Sequence, residues 1–350
     1  MTDLELGDTP ESCRFKEKIN PVDNTKNTIV LYHKNCTDGF GAAYAAWCKL
    51  QDAAIYVAVQ YGDDLRAAMV GASEDCEGEY DFTDLYMVDF SCSPADLINF
   101  SDVFDRVTVI DHHESAVRKL QESNCLENCN GEVNLILDME RSGAVMTWQY
   151  FFPKLLVPAE LQMIQDRDLW QFKFPKTKAF VARLYMIEFD MQIWDSYFQL
   201  SRRSEQYHCD PEQTLFGATE QLIVQGEVLL EEQENRVGIL EKHAHNMVIE
   251  QWSVPCVNAN HFFASDLGNN LSMCHPFAVS YTLDNMRSRI LFSLRSSKSN
   301  KYFVNVAKVA EKFGGGGHCH AAGFEVPMNM ESLAWLAGKG RLMSKDFKDV

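Results

Sequence analysis

Between residues 28 and 138, apolar and polar positions fall into two alternating kinds of segment. Short runs rich in β-branched residues, TIVLYH (28–33), AIYVAVQ (54–60), DLYMVDFS (84–91), RVTVID (106–111) and VNLILD (133–138), read as strands. Between them lie helix-forming stretches: GFGAAYAAWCKL (39–50), DDLRAAMV (63–70), SPADLINF (93–100) and SAVRKLQES (115–123). The third opens with a Ser cap and a Pro in its first turn. Strands alternating with helices imply βαβ units, and so a parallel sheet with helices on both faces. In such sheets ligands bind at the carboxyl ends of the strands.

The pattern changes further along. Residues 212–249 carry apolar positions at helical spacing with no internal Pro, which predicts a long, stiff helical stretch. An α+β pattern follows: ASDLGNNLSMC (264–274) as a helix, FAVSYTLD (277–284) and RSRILFSLRSS (287–297) as a strand pair, and VNVAKVAEKF (304–313) as a helix running into Gly314–Gly317. The organisation expected is an α/β domain over 28–210, a helical connector over 211–246 and a smaller α+β domain over 247–350. An acidic extension, 1–27, precedes them.

Composition narrows the function. The chain has 350 residues, 46% of them hydrophobic, enough for two packed cores. Its net charge is −18, with a pI of about 4.9. An acidic surface repels polyanions, so long nucleic acid along a basic groove is not expected, whereas a small anion beside bound metal is compatible. No apolar run reaches the roughly 18 residues of a membrane span. The acidic start lacks the layout of a signal or transit peptide. The 11 cysteines include no Cys-x-x-Cys pair and read as reduced thiols, so a cytoplasmic protein is expected.

Chemistry gathers at the strand ends. The first strand finishes in HKNCTDG, with His33, Cys36 and Asp38; the third in Asp89; the fourth in Asp111, His112 and His113. A later segment, LQMIQDRDLWQF, adds Asp166 and Asp168. Any one of these is ordinarily a cap, a turn residue or half of an ion pair, as Asp168 with Arg167 or Lys173 would be. Coincidence at several successive strand ends is another matter. Carboxylates sharing a pocket repel one another unless a cation is present. A mixed set of imidazoles and carboxylates suits Mn²⁺, and also Zn²⁺ or Fe²⁺; Mg²⁺ prefers oxygen alone.

Two more features belong with anions. Four glycines followed by His318, His320 and AAG allow close backbone approach and a nest of N–H groups for phosphate. Ser142 and Gly143 open an apparent helix, where capping is the simpler role and anion binding the alternative.

VIDHHESA after YMVDFS and YHKNCTDGFGAA, together with FGGGGHCHAAGF (313–324) near the far end, resembles the DHH phosphoesterases and their associated C-terminal domain. That family includes nanoRNases, cyclic-dinucleotide phosphodiesterases, RecJ-type exonucleases and inorganic polyphosphatases. The resemblance implies two divalent ions, Mn²⁺ foremost. Asp89 would bridge them, with His33 on one and Asp38, His112 and Asp166 on the other. Asp168 competes with Asp166, which is preferred. Asp111 would orient His112, and His113 would face the phosphate. Two such ions can activate water and polarise a phosphoryl oxygen. Arg295 would clamp a distal phosphate, with Gly315, Gly316, Gly317, His318 and His320 lining the substrate. The first motif departs from the common D-x-D pair by carrying Cys36, either as a thiolate ligand or, the preferred reading, packed behind the strand end. The activity implied is hydrolysis of dinucleotides, very short oligoribonucleotides or cyclic dinucleotides. A polyphosphatase and a non-catalytic scaffold are the alternatives. The glycine motif argues against the first and the retained ligand set against the second.

Overall fold

The computed structural model describes residues 27–74, 82–199, 217–338 and 341–343. Its first part is a run of β1 (Thr28–His33), α1 (Thr37–Leu50), β2 (Ala54–Val59), α2 (Leu65–Glu74), β3 (Asp84–Val88), α3 (Pro94–Ser101), β4 (Arg106–Asp111), α4 (Glu114–Glu122) and β5 (Glu132–Leu137). The five strands are all parallel, in the order β2-β1-β3-β4-β5. The order reverses between β1 and β3, which opens a crevice at their carboxyl ends. His33 ends β1 there, and Asp89 follows β3.

Strand alternation divides the core between the two faces. Val30 joins Phe40, Tyr44, Trp148 and Phe180 on one side. Ile29 and Leu31 join Leu65, Leu97, Phe100 and Leu120 on the other. The Ser93 hydroxyl accepts from the Asp96 amide with Pro94 behind it, as the sequence predicts. Among the described residues, α5 (Gly143–Phe151), α6 (Ala159–Asp168), α7 (Thr177–Leu184) and α8 (Met191–Phe198) follow.

Helix α9 (Gly217–Glu241) leads to the second part. It lies tight against α7, where a Cβ on Gly226 would come within 1.8 Å of the Ala179 carbonyl oxygen. The expected boundary at 210/211 and the extension up to residue 26 lie outside the described residues. The helical reading through Ile249 is overturned. The helix ends at Glu241, and His245–Ile249 is a strand, β6, paired antiparallel with β7 (Trp252–Asn258). Periodicity cannot separate a five-residue apolar segment beside a helix from the helix's last turn; the partner strand decides.

Helix α10 (Ala264–Leu271), β8 (Ala278–Asp284), β9 (Arg289–Arg295), α11 (Val306–Glu311), β10 (Gly316–His318), β11 (Ala321–Pro327) and α12 (Met330–Leu336) follow. The second sheet runs β10-β11-β9-β8-β7-β6, antiparallel except for β7 with β8. Its core includes Phe277, Phe292, Phe313 and Phe324, with Phe313 and Phe324 stacked at 4.4 Å. The two parts are joined by polar contacts among others. Arg118 pairs with Glu311, Lys298 Nζ donates to the Leu169 carbonyl at 2.7 Å, and the Gly317 amide donates to Ser115 Oγ at 3.1 Å. No helix among the described residues is long and apolar enough to cross a membrane.

Candidate metal centre

The turn after β1 sets the first part of the centre. Asn35 takes a left-handed conformation (φ 57°), which Asn tolerates better than most residues. A Cβ on Gly39 would lie 2.2 Å from the His33 carbonyl oxygen, so only glycine lets the turn close onto the strand. This brings the side chains of His33, Cys36 and Asp38 into one crevice. Asp89 is also left-handed (φ 52°), and a Cβ on Gly143 would lie 2.4 Å from its Cβ. The two residues are matched: the strained carboxylate residue needs the glycine against it.

Asp38, Asp89 and Asp111 are at most 1% exposed. The two oxygens of Asp89 face different groups. Oδ1 lies 3.0 Å from His112 Nε2, and Oδ2 lies 3.6 Å from His33 Nδ1. His112 Nε2 also lies 3.5 Å from Asp38 Oδ2 and 3.6 Å from Asp168 Oδ2, so one imidazole nitrogen faces three carboxylates. The amides of Gly143 and Ala144 donate to Asp38 at 2.7 and 3.1 Å. The anion at the start of α5 is therefore a carboxylate of the chain itself, and Ser142 caps the helix by accepting from Val145.

The charges are strongly coupled. Burial, then Asp89 and Asp168, push the Asp38 carboxyl well above its usual range. Burial would also raise Asp89, but the hydrogen bond from His112 and the imidazoles of His33 and His113 beside it hold it well below. Burial would lower His112, yet its hydrogen bond to Asp89 and the charges of Asp168, Asp89 and Asp38 raise it well above the ordinary imidazole value. Burial, followed by Asp89, Asp168 and Asp38, pushes the Cys36 thiol well up.

Three expectations are corrected. Asp166 does not join the cluster: its carboxylate accepts from the Lys173 and Phe174 amides at 2.8 and 3.0 Å and from the Thr177 hydroxyl at 2.6 Å. Asp168 is the residue of α6 beside Asp38 and His112. Asp111 does not orient the His112 ring. Its Oδ1 accepts from the His112 amide at 2.8 Å but faces the ring of His113, Nδ1, at 2.7 Å, while Ser91 Oγ donates to Oδ2. His112 Nδ1 has no hydrogen-bond partner. The glycine run is not an open nest. Gly316 and Gly317 lie in β10, and the Gly317 amide is taken by Ser115. A Cβ on Gly315 would lie 2.0 Å from the Gly323 carbonyl oxygen, so these glycines serve close strand packing.

His318 reaches the centre. Its ring stacks on His113 at 4.6 Å and lies 4.8 Å from His112, and burial, followed by the effect of these two imidazoles, holds its pKa well below the ordinary value. His320 turns elsewhere, onto Phe303 at 4.5 Å and Ser296 Oγ at 3.0 Å. Arg295 is half-buried and bonds the Leu294 carbonyl at 2.9 Å, with Ser265 Oγ at 3.4 Å. It forms no ion pair among the described residues, and burial with neighbouring Arg167 lowers its pKa to about 10. Gly268 makes room for it, since a Cβ there would lie 2.4 Å from the Arg295 Cβ.

Sequence reasoning missed Ser91, Ser115, Arg167 and Tyr61. Tyr61 follows β2 and sets its ring edge-on to both His33 and His113 at 5.8 Å. Its place just beyond a strand end was the available signal. Arg167 stacks on Trp170 at 4.1 Å and reaches Asp266 across the junction at 3.6 Å.

The donors suit divalent cations. Asp89 Oδ2, His33 Nδ1 and His112 Nδ1 are buried without hydrogen-bond partners, and His33, Cys36 and Asp89 offer donor atoms within 4.8 Å of one another, as do Asp38, His112 and Asp168. Buried polar atoms without partners are costly and call for an explanation such as an ion.

No protein-family model matches this chain. Uncharacterized protein R106 of Acanthamoeba polyphaga mimivirus is 29% identical over 336 residues, covering 92% of this chain and 71% of the viral protein. Among solved structures, the pGpG-specific phosphodiesterase PggH of Vibrio cholerae is 13% identical, with 89% of this chain and 97% of that one covered and a TM-score of 0.44. The Mn²⁺ complex of RecJ from Thermus thermophilus is 12% identical over 89% of this chain and 51% of that one, with a TM-score of 0.44. CDC45 of Entamoeba histolytica is 10% identical over 88% and 94%, with a TM-score of 0.39.

Proposed function

We propose that this chain is a metal-dependent phosphodiesterase of the DHH type that hydrolyses short nucleotides: dinucleotides, very short oligoribonucleotides or cyclic dinucleotides. The observation that carries this reading is the His112 ring nitrogen facing Asp38, Asp89 and Asp168, with the other Asp89 oxygen turned to His33. His33, Asp89, Asp38, His112 and Asp168 would hold two divalent ions, Mn²⁺ foremost. When bound, these supply Lewis-acid polarisation of a phosphoryl oxygen and of water.

The chain's own groups do the rest. Asp111 fixes His113 through Nδ1 and, despite burial, keeps it protonated more readily than a free imidazole. Nε2 of His113 then carries a proton for a phosphoryl oxygen. His318 is held neutral beside it. Arg295, which forms no ion pair among the described residues, carries a guanidinium fork suited to phosphate oxygens, with Arg167 close enough to lower its pKa. The net charge of −18 supports a small substrate over long nucleic acid.

The test is a substrate panel with Mn²⁺, read by chromatography: a linear dinucleotide, cyclic dinucleotides, a longer RNA, polyphosphate and a nucleoside bisphosphate. Preferential cleavage of the short diesters is expected. Cleavage of polyphosphate alone, or of nothing with any divalent ion, would overturn the proposal.

A further inference from the structure

The geometry points to Cys36 as a thiolate ligand that makes the centre asymmetric. Cys36, His33 and Asp89 form a site for a borderline-soft divalent ion of the Zn²⁺, Co²⁺ or Fe²⁺ class, beside a harder site built from Asp38, His112 and Asp168. The inference rests on the metal-dependent reading above and assigns the two halves of that centre different ions.

Packing does not account for this cysteine. Cys48, Cys92, Cys125 and Cys256 are enclosed in the apolar clusters of the two cores, whereas Cys36 belongs to none of them. It occupies the position before α1 without making a side-chain cap. Its sulfur, a His33 ring nitrogen and an Asp89 oxygen converge within 4.8 Å. The independent sign of a ligand is Asp89 Oδ2: its side chain is 1% exposed, it has no hydrogen-bond partner, and the atom it faces, His33 Nδ1, lacks one too. An ion between them satisfies both, and the thiol is the third donor within reach. On binding, the sulfur–hydrogen bond breaks, the proton leaves to solvent and the sulfur lone pair goes to the ion. Thiolate selects softer ions, and carboxylates with imidazole tolerate harder ones.

Cobalt loading of the full chain tests this directly. A thiolate-to-Co²⁺ charge-transfer band in the near ultraviolet is expected in the wild type and absent in Cys36→Ser. Zn²⁺ affinity of the first site should fall in that variant by at least the roughly 10–100-fold seen on losing outer-sphere partners. Cys36→Asp should restore that affinity for Mn²⁺ rather than for Zn²⁺. A second measurement needs no variant: Zn²⁺ should slow alkylation of Cys36 at least about tenfold, read by peptide mass spectrometry, with exposed Cys274 as the internal control. Two bound Co²⁺ per chain without the band, or equal alkylation of Cys36 with and without Zn²⁺, would overturn the thiolate ligand and leave the phosphodiesterase reading standing. A chain that takes up no divalent ion in equilibrium dialysis would overturn both.

Discussion

The carboxyl edge of the parallel sheet and the facing edge of the mixed sheet solve opposite electrostatic problems. The first buries Asp38, Asp89 and Asp111 together and leaves Asp89 Oδ2 without a partner. The second presents Arg295 without an ion pair among the described residues, next to Arg167 and a neutral His318. Neither edge is balanced alone, since like charges gathered in a pocket disfavour one another. Under the proposed function, a phosphodiester between them would meet cations on one side and the Arg295 guanidinium on the other. The first edge would then hold the ions and the second the far side of the substrate, and that division can be broken one residue at a time.

The largest effect is expected at Asp89. Asp89→Ala removes the carboxylate that faces His33 through one oxygen and His112 through the other, so activity should fall on the order of 10³-fold or more. Elemental analysis should show both ions lost. A variant near wild-type rate with its metals intact would remove Asp89 from the centre.

Asp168→Asn and Asp166→Asn separate function from structure within one helix. The first should lose metal and activity with little change in unfolding midpoint. The second breaks charge-assisted bonds to two amides and a hydroxyl, a cost of about 1.5–3 kcal/mol, and should keep its metal content. Denaturant titration beside metal analysis reads both; the reverse pattern would return Asp166 to the centre.

Arg295→Ala tests the second edge. Turnover of a dinucleotide should fall roughly 10–100-fold, the scale of one or two lost hydrogen bonds to a charged group. Hydrolysis of bis-p-nitrophenyl phosphate, which has no distal phosphate, should hold. Equal losses on both substrates would place Arg295 at the reacting phosphate.

The smallest effect is a pH dependence of metal uptake. Asp89 and its neighbours raise the pKa of His112 in the metal-free protein, so its ring carries a proton where ligation needs a lone pair. Binding must expel that proton. Apparent affinity should therefore rise with pH, by up to about tenfold per unit for one proton, until the raised pKa is passed. Proton release on adding metal in weak buffer reads it directly, and uptake without release would mean that His112 is not a ligand.

Much of this centre was legible in the chain. The β-branched runs marked β1 to β5, and residues at their ends met at one edge because a parallel sheet aligns those ends. Where the reading failed, the choice lay between neighbours. Asp166 and Asp168 are two apart on α6, and positions i and i+2 of a helix do not share a face. Which one meets His112 depends on how α6 is rotated against α1 and α5. Asp111 borders both His112 and His113, and only the ring directions assign it to the second. Tyr61 carried no motif and entered the site because β2 lies next to β1.

Periodicity and local backbone preference suffice for the alternation of strands and helices, the identity of the donors and their delivery to a strand edge. Tertiary structure alone decided that Asp168 rather than Asp166 faces His112, that Gly316 and Gly317 lie in a strand docked on Ser115, and that Cys36 turns toward Asp89 and not into a core. Each of those outcomes depends on the relative rotation and approach of elements distant in the chain. Local spacing carries no information about that; buried charge and close packing fix it.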